Sequence, residues 1–164
     1  MLRKLAQENL VLLQITIVTL NDSLRKILEP RAPSIEDRII AIDKAASEGI
    51  PVMVNVVIRY RPLIPGIIEA EVDEVLRVAR DNKVKHVIVE FLRCEASELE
   101  VYKNLAYVKD IYEYTWGVYS PVKESSKIVR PPLHYRIKVL ELIKNMSQRY
   151  GVNIALCKEG QKIF

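Results

Sequence analysis

Residues 51–92 read PVMVNVVIRYRPLIPGIIEAEVDEVLRVARDNKVKHVIVEFL, and the fold of the chain turns on how they divide. Ile50 to Tyr60 form an apolar run rich in β-branched residues, the composition of a strand. From about Glu69 to Asp81 the period changes: Val72, Val75, Leu76 and Ala79 recur at the spacing that puts them on one side of a helix. Residues 85–92, KHVIVEFL, return to a strand pattern. Strand, helix, strand is the βαβ unit, in which the two strands lie parallel and the crossover is right-handed.

The join between the first strand and the helix is RPLIPGIIEAE, Arg61 to Glu71. Pro62 and Pro65 fix φ and remove two donors, and Gly66 permits a close turn. A loop so apolar and stiff reads in two ways. It is a rigid strand-to-helix turn, or it displays its backbone to a flat apolar ligand, because ligands of α/β sheets sit at the carboxyl ends of the strands.

The same rhythm extends outward. LRKLAQEN (2–9) places Leu2, Leu5 and Ala6 on one helical side, and LVLLQITIVT (10–19) runs as a strand covered on both faces. Asn21 and Asp22 suit the start of a short helix, SLRKILE, which Pro30 stops. Ser34 followed by Asp37 resembles a capping box for a helix with Ile35, Ile39, Ile42 and Ala46 inward and Gly49 as its terminal cap. After Arg93 the pattern loosens, until LHYRIKVLELIKNMSQRY (133–150) predicts a long helix with Leu133, Ile137, Leu140, Ile143 and Met146 in register. Gly151 ends it, and VNIALC (152–157) predicts a last strand. The expected fold is α/β: a partial, half βα barrel of about three to four parallel strands with flanking helices. It forms a single domain with its core in 1–93 and a tyrosine-rich segment, long helix and terminal strand in 94–164.

Composition narrows the function classes. The 164 residues are 49% hydrophobic and 7% aromatic, enough to bury one core. No apolar run approaches the roughly 20 residues of a membrane helix, and no signal-peptide pattern opens the chain, so no membrane partner and a cytoplasmic location are expected. Cys94 and Cys157 stand far apart, with neither metal-ligand spacing nor a required disulfide. The net charge is +4. Basic residues gather late, at Lys123, Lys127, Arg130, Arg136, Lys138, Lys144 and Arg149. They follow Tyr107, Tyr112, Tyr114, Trp116 and Tyr119, a mixture that suits either a solvated, tyrosine-packed face or the stacking and phosphate contacts of a single-strand binder.

Several phrases together resemble a known family. TIVTLNDSLRKILEPRAPSIEDRIIAI (16–42), EGIPV (48–52), PLIPGIIEAE (62–71), VEFLR (89–93) and GVNIALCKE (151–159) follow in the order found in the carboxyl-terminal half of radical S-adenosylmethionine proteins, the spore photoproduct lyase-like branch above all. LEPRAPS (28–34) is the most telling phrase. PLIPGIIE also matches the superfamily pattern glycine-x-isoleucine-x-glycine-x-x-glutamate, with Pro62 in place of the first glycine. The resemblance implies that Ile64 packs on the adenine of S-adenosylmethionine and that Gly66 shapes the turn. It implies further that Thr19 and Asn55 help hold ribose and methionine, that Leu92 and Arg93 touch adenine, and that Glu69, or its rival Glu71, is the family's acid.

The chain departs from the family in two respects. It lacks the cysteine-x-x-x-cysteine-x-x-cysteine motif, so no iron-sulfur cluster is held by this chain and no catalytic residue is assigned. The family's first three strands are also missing, and Met1 opens at the helix before the fourth. The expectation is a cluster-less partial domain, a remnant or the second half of a split DNA-repair-lyase-like enzyme. Alone it would bind S-adenosylmethionine weakly, and it would act as a homo-oligomer or with a cluster-bearing partner chain. A basic module that binds nucleic acid is the alternative.

Overall fold

A computed structural model describes residues 13–47, 57–105, 120–121 and 128–157. The predicted helix at 2–9, the cap at Gly49, Asn55 and the tyrosines and tryptophan between 107 and 119 lie outside the described residues, as do Lys123 and Lys127.

Four parallel strands form one sheet: β1 (Gln14–Ile17), β2 (Val57–Leu63), β3 (His86–Phe91) and β7 (Asn153–Leu156), neighbours in that order. Between them run α1 (Asp22–Leu28), α2 (Ile35–Ser47), α3 (Ile68–Asp81), α4 (Leu99–Leu105) and α5 (Leu133–Tyr150). Three short strands, β4 (Cys94–Glu95), β5 (Ser120–Pro121) and β6 (Ile128–Arg130), make a small antiparallel sheet in the order β4-β6-β5.

Local chemistry sets the element ends. Asn21 caps α1 by accepting from the Leu24 amide at 3.1 Å. Ser34 Oγ accepts from the Asp37 amide at 3.1 Å, while the Asp37 carboxylate bonds the Ser34 hydroxyl at 2.6 Å, so the second half of the box closes on the side chain rather than on the backbone. Gly151 ends α5 with φ +64°, the left-handed cap that a Cβ disfavours.

Helix α3 buries the expected Val72, Val75, Leu76 and Ala79, each at 1% exposure or less. They join Ile42 of α2, Val139, Leu140 and Ile143 of α5, and Ile17, Ile58, Tyr60, Val87, Val89 and Phe91 of the sheet in the main core. Each large side chain so buried contributes on the order of 1.5–3 kcal/mol.

Two expectations are corrected. In α5 Leu133 and Ile137 are 43% and 36% exposed, and the buried stripe runs instead through Tyr135, Arg136, Val139, Leu140 and Ile143. The cause is a rotation of the helix toward Tyr135, whose hydroxyl bonds Glu69 and whose ring meets Phe91 edge-on at 6.5 Å. The second concerns β1, which is not covered on both faces: Gln14 is exposed and Ile15 and Thr16 are half-buried. Among the described residues it is the first strand of the sheet, with apolar helix packing on one face.

Candidate functional site

Strand alternation divides the sheet into two unlike faces. Ile15, Ile17, Ile58, Tyr60, Val87, Val89, Ile154 and Leu156 belong to or pack on the core beneath the helices. The residues between them point the other way. In register across the strands, Thr16 stands beside Arg59, Arg59 beside Ile88, and Ile88 beside Ala155. This second face holds two arginines and a carboxylate, and among the described residues no helix packs its apolar stripe against it.

At the carboxyl end of that face lies an open cleft of about 330 Å³, lined by Thr16, Glu29, Arg61, Pro62, Glu90 and Phe91. Its volume falls within the roughly 300–1,000 Å³ of small-molecule sites. Arg61 Nη1 donates to Glu90 Oε2 at 3.0 Å across β2 and β3. The ladder between these strands shifts register between Tyr60 and Leu63, beside the cis Arg61–Pro62 peptide. Arg59, two residues before Arg61, reaches across β3 to β7, where its Nη2 stands 3.9 Å from Cys157 Sγ. Its buried Nε has no hydrogen-bond partner.

The LEPRAPS phrase forms the rim, held by two buried arginines. Arg25 Nη1 donates to the Glu29 and Ala32 carbonyls at 3.2 and 2.8 Å, and its Nε to Asp22 at 2.9 Å. That bond holds the Asp22 carboxyl below its ordinary range. Arg38 donates to the Pro33 carbonyl, to the Thr16 carbonyl at 2.7 Å and to Glu29 Oε2 at 2.6 Å. A second groove of about 450 Å³ runs along the outer side of β1, sharing Thr16 and Glu29 with the cleft.

The residues expected from the sequence occupy an adjacent layer. Ile64 and Leu92 are 1% and 2% exposed and pack with Leu24, Ile67, Cys94 and Val129 in a second core. The stiff loop is therefore buried, with Leu99 and Tyr102 of α4 packed against the same cluster. Gly66 adopts φ +82°, as its turn requires, and its amide donates to Glu69 Oε2 at 2.8 Å. Glu71 accepts from the Thr19 hydroxyl at 2.6 Å and from the Leu20 amide at 2.9 Å, tying the end of β1 to the start of α3. Burial pushes the Glu71 carboxyl up against the pull of those donors. Thr19, Ile64, Gly66, Glu69, Leu92 and Arg93 thus gather at the carboxyl ends of the strands, with Thr19, Ile64 and Leu92 turned into packed interior. Glu69 has its partner within the turn, in the Gly66 amide, and Glu71 has its partners at the end of β1, in Thr19 and Leu20.

The open-face residues Thr16, Arg59, Arg61 and Glu90 and the rim residue Glu29 were missed. Their signal was the alternation in Val57-Ile58-Arg59-Tyr60-Arg61, where both cations fall on one side of a strand. Both cysteines are free. Cys94 is buried, and its thiol is pushed up to about 11 by desolvation, which keeps it protonated and unreactive near neutrality. On α5, Lys138, Lys144 and Arg149 are exposed, whereas Arg136 is buried with its Nε on the Pro131 carbonyl.

Among the described residues no group of three His, Cys, Asp or Glu side chains could hold a metal ion, and no helix is long and apolar enough to cross a membrane. Comparison with protein-family models, curated proteins and solved structures finds no match for this chain.

Proposed function

We propose that the chain is half of a βα barrel whose polar sheet face is one wall of a small-molecule site, and that it does not catalyse a reaction alone. The observation that carries the reading is the asymmetry of the sheet. Four strands follow one another in parallel with the apolar stripes of the described helices on one side, and the other side presents Arg59 together with Thr16, Arg61 and Glu90, of which the last three line a cleft. In a closed barrel that side is the interior, and chemistry sits at its carboxyl end.

The resemblance to the carboxyl-terminal half of radical S-adenosylmethionine proteins supplies the wider setting, in which a second set of strands closes over the face and brings the cysteines this chain lacks. S-Adenosylmethionine itself binds weakly to this chain alone, because Ile64 and Leu92 are packed beneath other side chains and Thr19 is engaged by Glu71.

Titration calorimetry of the isolated chain with S-adenosylmethionine tests this. Heats near the dilution background are expected; tight, saturable binding would overturn the reading. Labelling gives a second check on the open face. Ile88→Cys in a Cys157→Ser background is expected to react with a water-soluble maleimide much faster than Cys94, and equal protection of both thiols would show the face to be covered.

A further inference from the structure

We infer that Arg59 is the anchor of an anion subsite on the open sheet face, which takes the carboxylate or phosphate group of a small ligand. The inference rests on reading this face as the functional one, though not on its closure by a second set of strands.

The charge balance of the face is the starting point. Arg61 is paired with Glu90 at 3.0 Å, and Arg38 on the rim with Glu29 at 2.6 Å. Among the described residues Arg59 is the cation of this face that no carboxylate pairs: its buried Nε–H has no acceptor, and its Nη2 stands 3.9 Å from a thiol. A guanidinium brought out of water needs acceptors, since a desolvated donor without one is costly and a thiol is a weak substitute. Its planar fork suits the paired oxygens of a carboxylate or phosphate better than any neutral group.

Position supports the same assignment. Arg59 stands in register with Thr16, a lining residue of the cleft, and two residues before Arg61, which lines it too. A small acid seated between Arg59 and Arg61 would complete the compensation that Glu90 begins. The basic surface of α5 belongs to another part of the fold, so nucleic acid is not the ligand this geometry favours.

Cys157 offers a direct readout, being half-buried, free and adjacent to the guanidinium, while the buried Cys94 serves as an internal control. Alkylation of the native chain by iodoacetamide is followed residue by residue, in chloride and in phosphate, pyrophosphate or malonate at equal ionic strength. A ligand on Arg59 is expected to slow Cys157 severalfold in phosphate or malonate relative to chloride, and whichever of these protects identifies the phosphate or carboxylate class. Arg59→Gln abolishes the protection and Arg59→Lys retains part of it, with Cys94 unreactive in both. If Arg59→Gln exposes Cys94, and so unfolds, the Arg59→Lys and native series decide. Equal Cys157 rates in every anion, or protection that survives in folded Arg59→Gln, would overturn the assignment. So would protection by a single-stranded oligonucleotide with none by the small anions.

Discussion

Glu71 shows how one residue ties two elements together. Its carboxylate receives the Thr19 hydroxyl and the Leu20 amide, and its burial raises its affinity for a proton above that of the exposed group, whose ordinary value is 4.5. A raised folded-state value means that the native chain binds the proton more tightly than the unfolded chain. The resulting stability is fully present below about pH 4.5 and is lost as pH rises through the folded value. Urea unfolding across that window is expected to show a stability decline that Glu71→Gln lessens; identical slopes in the two proteins would contradict it. Thr19→Val, which leaves a buried carboxylate short of a donor, is expected to cost about 1–3 kcal/mol in the same measurement.

At the scale of elements, Arg38 fastens α2 to β1 through the Thr16 carbonyl and to the rim through Glu29. Its loss orphans a backbone acceptor and a carboxylate together. Because the Glu29 side chain is 31% exposed, solvent relieves part of that loss. Arg38→Ala is expected to lower stability by about 2–3 kcal/mol in chemical denaturation, against less than about 0.5 kcal/mol for Lys138→Ala on the exposed side of α5. Along α5, Leu133→Ser and Ile137→Ser are expected to change stability by under about 0.5 kcal/mol, whereas Ile143→Ala costs about 2–4 kcal/mol.

These elements also show what the sequence could and could not reveal. The stripe of α3, the Asn21 cap and the Gly151 stop were legible because each rests on near neighbours in the chain. The facing of α5 was not, since Tyr135 and Arg136 are amphipathic side chains whose burial a period count misses, and Tyr135 is held by Glu69 and Phe91, far away in sequence. The open face escaped for a similar reason. Arg59 and Arg61 are ordinary surface residues until the register places them beside Thr16 and Glu90.

At the scale of the whole molecule, the four parallel strands of the described residues have two edges, β1 and β7. Unpaired strand edges invite another chain. No residue within LVLLQITIVT guards the first of them, but α2 does: Arg38 takes the Thr16 carbonyl on the side turned away from β2. On the proposed half-barrel reading, two copies related by a two-fold axis supply eight parallel strands, the number that closes a βα barrel, with β7 of each copy beside β1 of the other. The row Thr16, Arg59, Ile88 and Ala155 would then face inward in both copies. Arg38→Ala, which frees the Thr16 carbonyl, is expected to shift assembly to lower concentration even as it weakens the fold.

Sedimentation velocity of the purified chain through the micromolar range tests the half-barrel claim most directly. A reversible, concentration-dependent species of two 18.9 kDa chains is expected. A single 18.9 kDa species at every concentration, with the amides of Gln14 and Thr16 slow to exchange, would contradict it, because the β1 edge would then be closed to a second chain.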